Sequence, residues 1–120
     1  MKKRILVIDD DEDILDILNI IFESEGYHVI VSNTAAAAED IHIIKPDLVL
    51  LDFRIAGSQK NGAQICAQIK SGNSLKHLPV MLISAESDIS NIANECGANA
   101  YVKKPFDIYH LLSQVRDFIY

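Results

Sequence analysis

The sequence predicts an α/β protein, a doubly wound parallel sheet of five strands with helices on both faces. Two observations carry this. A short apolar run followed by an amphipathic helical stretch recurs five times within 120 residues. The runs LVLL (48–51) and VMLI (80–83) are apolar without interruption, so those strands are covered on both faces, as in a sheet sandwiched between helices. Right-handed crossovers leave few windings for such units, and an open doubly wound sheet is the simplest. A TIM barrel takes about 250 residues. No linker, repeat or low-complexity tract interrupts the pattern, so residues 1–120 read as a single domain.

The elements follow in order. RILVI (4–8) is the first strand. The helix after it places Ile14, Leu15, Leu18, Ile21 and Phe22 on one stripe and stops at Gly26. YHVIVS is the second strand, and Thr34 then caps a helix through AAAAEDIHII that Pro46 ends. DLVLLD is the third strand, and a polar loop with Gly57 and Gly62 leads to a helix around AQICAQIK, closed by Gly72. PVMLIS, a helix from Asp88 to Cys96 stopped by Gly97, and NAYVKK complete the alternation. The last helix follows Asp107, with Ile108, Leu111, Leu112, Val115, Phe118 and Ile119 at helical spacing, and runs to Tyr120 without a stop signal. Strand one directly follows the first residues, so the domain is expected to open its chain, and the unstopped last helix leaves room for an output domain after it.

Composition narrows the function. With 49% hydrophobic and 23% charged residues the chain reads as soluble and globular. No apolar run approaches the roughly 20 residues that span a bilayer, and RILVI is too short for a secretory signal, so the expected compartment is the cytoplasm. A net charge of −6 argues against direct nucleic-acid binding, which rests on clustered Lys and Arg. Cys66 and Cys96 form no C-x-x-C and read as small core or helix-surface residues. His28, His42, His77 and His110 show neither metal spacing nor a nucleophile partner.

Ligands of such sheets bind beyond the carboxyl ends of the strands, and polar residues converge there: Asp9 and Asp10 after strand one, Asp52 at strand three, Ser84 at strand four, Lys104 at strand five. The acids begin a longer run, Asp9 to Asp13. Asp11, Glu12 and Asp13 suit a helix start, where carboxylates meet orphan N–H groups and the positive end of the dipole. Adjacent Asp9 and Asp10 need more, since two carboxylates about 4 Å apart repel by roughly 4 kcal/mol at an effective dielectric near 20. Oxygen-only ligands suit a hard divalent cation, Mg²⁺ over Zn²⁺. A cation beside a carboxylate, a lysine and a hydroxyl is equipment for phosphoryl transfer, with Asp52 on the central strand as the nucleophile. Neither G-x-x-x-x-G-K-[ST] nor G-x-G-x-x-G occurs, so nucleotide binding is not expected.

ILVIDDDED, DLVLLDF, LPVMLISAES and GANAYVKKPF, in this order and approximate spacing across essentially the whole chain, resemble the receiver domain of two-component response regulators. The resemblance implies a flavodoxin-like sheet of strand order 2-1-3-4-5. It implies that Asp9 and Asp10 hold Mg²⁺ together with Asp52 and the main-chain carbonyl of Arg54. Asp52 would be the phosphoacceptor, Ser84 the switch hydroxyl, Tyr101 the switch aromatic and Lys104 the phosphate-pairing lysine. The implied donor is a phosphohistidine on a sensor kinase or a histidine phosphotransfer protein. The implied output, to a partner or a second copy, runs through the face of the fourth helix, fifth strand and fifth helix. Arg54 and Glu86, each two residues past a site residue, would flank the approach of hydrolytic water.

One segment departs from the pattern: FRIAGSQKNG after Asp52 is about two residues longer than usual and has Ala56 where a proline is customary. A backbone ligand does not depend on side-chain type, so metal binding is expected to survive. The alternative reading is a pseudo-receiver, an interaction module of the same fold that does not cycle phosphate. An aspartyl-phosphate hydrolase would want a second acid where Arg54 stands. The expectation is thus a signalling switch and not a metabolic enzyme.

Overall fold

The computed structural model describes residues 2–119. Strands β1 (Arg4–Ile8), β2 (His28–Ser32), β3 (Leu48–Asp52), β4 (Val80–Ser84) and β5 (Ala100–Lys103) form a parallel sheet in the order β2-β1-β3-β4-β5. Helices α1 (Glu12–Ser24) and α5 (Ile108–Phe118) cover one face; α2 (Ile41–Ile44), α3 (Gly62–Ser71) and α4 (Ile89–Cys96) cover the other. Successive side chains of a strand point to opposite faces. Ile5, Val7, Leu48, Leu50, Met81 and Ile83 therefore join Leu18, Phe22 and Val115, while Leu6, Ile8, Val49, Leu51 and Leu82 join Ile65, Ile69 and Ala93. This double cover explains the unbroken apolar runs. No helix among the described residues is long and apolar enough to cross a membrane.

Local chemistry sets the helix ends. Asp11 caps α1, its carboxylate accepting from the Asp13 and Ile14 amides, with Glu12 and Asp13 in the first turn. Asn61 and Gln64 close a reciprocal capping box at α3, and Asp107 caps α5. Gly97 ends α4 in the left-handed region at φ 81°.

Three expectations change. Ala35–Asp40 is a 3-10 helix, only Ile41–Ile44 is α-helical, and Thr34 makes no side-chain cap. The alanines supply no large apolar stripe, and Ile41 is the buried anchor of α2; a short helix without tertiary anchorage is marginal. Lys45 then turns left-handed at φ 53°, as the following Pro46 disfavours a right-handed helical residue before it. Strand β5 ends at Lys103, one residue early, with the Lys104 amide donating to Ser84 O at 2.8 Å. Helix α5 ends at Phe118, because Ile119 becomes extended and buries its side chain in the core; Tyr120 lies outside the described residues.

The two cysteines, remote in sequence, meet where α3 packs on α4: the Cys66 thiol points at the Cys96 carbonyl oxygen at 3.7 Å. Burial, then the neighbouring Cys96 thiol, push the Cys66 thiol up to about 12. That leaves it a protonated core residue at neutral pH.

Candidate functional site at the carboxyl end of the sheet

In a 2-1-3-4-5 sheet the winding reverses between β1 and β3, which opens a crevice at their carboxyl ends. Asp9 follows β1 and is fully buried, Asp52 is the last residue of β3 at 5% exposure, and Ser84 ends β4 at 3%. Asp9, Asp10 and Asp52 each bring a carboxylate oxygen to within 4.8 Å of the others. Lys104 reaches in from the end of β5, its ammonium 3.1 Å from Asp9 Oδ2 and 3.4 Å from Asp52 Oδ1. The Asp52 contact is a hydrogen bond. The Asp9 contact has ion-pair distance without hydrogen-bond alignment, so buried Asp9 Oδ2 has no hydrogen bond. The other oxygen of Asp9 accepts from the Asp11 amide at 2.9 Å.

One ammonium cannot compensate three carboxylates. Burial pushes the Asp52 carboxyl up from 3.8 to about 7, the Asp9 charge adds to this, and Lys104 offsets part. For Lys104 burial acts downward, yet the close Asp9 and Asp52 carboxylates outweigh it and hold the ammonium above its ordinary 10.5. Three converging carboxylates served by a single ammonium, a raised carboxyl and an all-oxygen donor set fit a hard divalent cation.

The lengthened loop is tied to this cluster. Asp10 Oδ2 accepts from the Ala56 amide at 2.9 Å, and Ile55 is buried beneath it. Gly62 opens α3 against the strand end: a Cβ there would sit 2.3 Å from the Asp52 carbonyl oxygen. Arg54 extends over the Phe53 ring, its guanidinium carbon 5.4 Å from the centroid, and pairs through Nε with Glu86 Oε1 across the mouth of the site. Ser84 Oγ accepts from the Glu86 amide at 2.9 Å. Tyr101, inside β5 level with Leu82, is 40% exposed, and its carbonyl accepts from Gln114 Nε2 at 3.2 Å.

The structure thus brings Asp9, Asp10, Asp52 and Lys104 into one cluster, links Arg54 to Glu86 and Glu86 to Ser84, and leaves Tyr101 outward. Sequence reasoning missed Gly62 as a close-packing position, Phe53 as the platform for Arg54, and the Ala56 tie. A glycine opening a helix directly after an Asn cap was the available signal for the first.

Strand order, covered faces and an acid-and-lysine crevice at the switch point define a doubly wound α/β domain with a charged crevice around Asp52. Residues 5–116 match the model of the response regulator receiver domain, and the chain belongs to that family. It is 32% identical over 119 residues to the DNA-binding response regulator MtrA of Mycolicibacterium smegmatis, covering 97% of this chain and 50% of that one. The chain therefore spans about half the length of that relative. Among solved structures it resembles the receiver domain of NtrX from Brucella abortus (31% identity, TM-score 0.86, covering 96% of this chain and 97% of that one). It also resembles a CheY-like response regulator receiver domain protein from Methanospirillum hungatei (27%, TM-score 0.86, 98% and 93%).

Proposed function

We propose that residues 1–120 act as one phosphorylatable receiver domain in the cytoplasm, accepting a phosphoryl group on Asp52 from a phosphohistidine of a sensor kinase or histidine phosphotransfer protein. The observation that carries this is the buried Asp52 carboxylate at the central strand end with the Lys104 ammonium bonded to it. An Asp52 carboxylate oxygen attacks phosphorus, the P–N bond to the donor imidazole breaks, and the imidazole leaves with the electron pair and takes up a proton. Lys104 pairs with a phosphoryl oxygen through the transfer. Asp9, Asp10 and Asp52, with the Arg54 carbonyl, would hold Mg²⁺, which when bound neutralises phosphoryl oxygens. The chemistry is confined to the chain's own aspartyl phosphate. An apolar groove of about 470 Å³ lined by Ile14, Ile17, Phe106 and Ile108 opens beside Lys104, which supports docking of the donor at this rim. The net charge of −6 supports leaving any DNA contact to a separate domain.

Incubation with Mg²⁺ and a small acylphosphate should add one phosphoryl group by mass, on the peptide containing Asp52. No gain would favour a pseudo-receiver, for which the capture of Asp10 by the Ala56 amide speaks.

The signal is read through Ser84 and Tyr101 onto the face of α4, β5 and α5, where an output partner or a second copy docks. Moving a two-state equilibrium from 1:99 to 99:1 takes about 5.5 kcal/mol. Two charge-assisted hydrogen bonds, from Ser84 and Lys104, supply roughly 1.5–3 kcal/mol each. Ser84→Ala should still accept the phosphoryl group while Tyr101 stays outward; a full wild-type response on that face would refute the coupling.

Arg54 and Glu86 tune how long the phosphoryl group lasts, by narrowing the water's approach in line behind phosphorus. Both long side chains stand beside Asp52 and Ser84, which supports this whether or not their pairing in the unmodified chain persists. Each 1.36 kcal/mol of barrier is about tenfold in rate, so Arg54→Ala and Glu86→Ala should shorten the lifetime under saturating Mg²⁺. Unchanged decay in both variants means there is no gate.

A further inference from the structure

We infer that Glu86 is a positioning residue that latches the Ser84 hydroxyl and the start of α4 to the loop after Asp52 while Asp52 is unmodified. The inference rests on the switch role proposed for Ser84 and adds a lock to it.

Glu86 is a three-way node. Its amide donates to Ser84 Oγ at 2.9 Å, its carbonyl accepts from the Ile89 amide at 3.3 Å in the first turn of α4, and its carboxylate holds Arg54. The backbone behind the third link is anchored. Arg54 lies over the Phe53 ring, and Phe53 is pinned on both sides, its amide donating to Ile83 O at 3.0 Å and its carbonyl accepting from Gly62 N at 2.7 Å. The switch hydroxyl, the α4 start and the β3–α3 loop are therefore joined through one residue.

A phosphoryl group on Asp52 competes for two of these links. Turning Ser84 Oγ toward a phosphoryl oxygen takes it from the Glu86 amide, and a doubly charged anion two residues before Arg54 draws the guanidinium from the single charge of Glu86. Glu86 then keeps only its bond to α4, and the two move together. The latch is soft, because the Arg54 and Glu86 side chains are 75% and 35% exposed and an exposed pair is weak and screened by salt.

The test needs no phosphoryl group. Amide NMR of the unmodified protein is compared for wild type, Glu86→Gln, Arg54→Gln and the double variant. Either single change should raise the inward-Tyr101 population about two- to fivefold and shift the Ser84 and Ile89 amide signals. The double variant should go no further, since both changes break one contact. Salt at about 1 M, where the screening length is about 3 Å, should reproduce the effect in wild type and do nothing in the variants. Wild-type signals in Arg54→Gln, or single effects that add, would overturn the latch. A chain that shows the latch yet gains no phosphoryl group overturns only the proposed function, and the reverse result overturns only the latch.

Discussion

Asp52→Asn is expected to abolish phosphoryl acceptance, the largest single-residue effect this chain can show. The amide keeps the shape of the carboxylate and its place at the end of β3, but it has no anionic oxygen to attack phosphorus. Neighbouring acids cannot substitute. Asp9 is fully buried against Lys104 and the Asp11 amide, and Asp10 is turned to the Ala56 amide. Asp10→Asn should behave differently: it removes one charge from the cation cluster and leaves the nucleophile, so labelling returns when Mg²⁺ is raised. Mass analysis of both variants with an acylphosphate donor across a Mg²⁺ series separates the two roles. Full labelling of Asp52→Asn on the same peptide would remove Asp52 from the mechanism.

Some of this was legible in the sequence and some was not, for physical reasons. Strands covered on both faces leave an unmistakable record, since LVLL and VMLI have no room for a polar residue, and the rim residues stand at fixed offsets from those runs. The AAAAEDIHII segment was misread because alanine favours helix locally while only Ile41 is buried to hold the segment in place. The Arg54–Glu86 and Cys66–Cys96 encounters bring together residues 32 and 30 positions apart. No local pattern encodes such meetings; they follow from the β3–β4 pairing and the packing of α3 on α4. The Asn cap before Gly62 marks it as a helix start, but the reason it is glycine, letting α3 start against the Asp52 carbonyl, is a matter of tertiary approach.

Metal-free protein should lose stability as pH rises from about 4 to about 7, and Mg²⁺ should restore it. The Asp52 carboxyl is raised from 3.8 to about 7 by burial first and the Asp9 charge second. Between those values the folded state holds a proton that the unfolded state has released, so unfolding becomes easier with each step up in pH. At 1.36 kcal/mol per pKa unit the contribution is on the order of a few kcal/mol, most of it lost as pH reaches about 7 and the rest above the folded value. Lys104 works in the other sense and elsewhere: its raised pKa gives stability that is present below 10.5 and lost only as pH climbs through the higher folded value. It therefore does not mask the Asp52 slope between pH 4 and 7. A divalent cation binds the ionised cluster best, so its gain in melting temperature should be larger at pH 7.5 than at pH 5. In Asp52→Asn the amide cannot ionise, so the slope should flatten, the metal-free protein should melt several degrees higher at neutral pH, and the Mg²⁺ increment should shrink. Thermal melts at several pH values with chelator and with Mg²⁺ read all three. A metal-free wild type whose stability is flat or rising across that window would mean that Lys104 already offsets both the burial of Asp52 and the Asp9 charge, and the case for a cation in this crevice would lose its electrostatic basis.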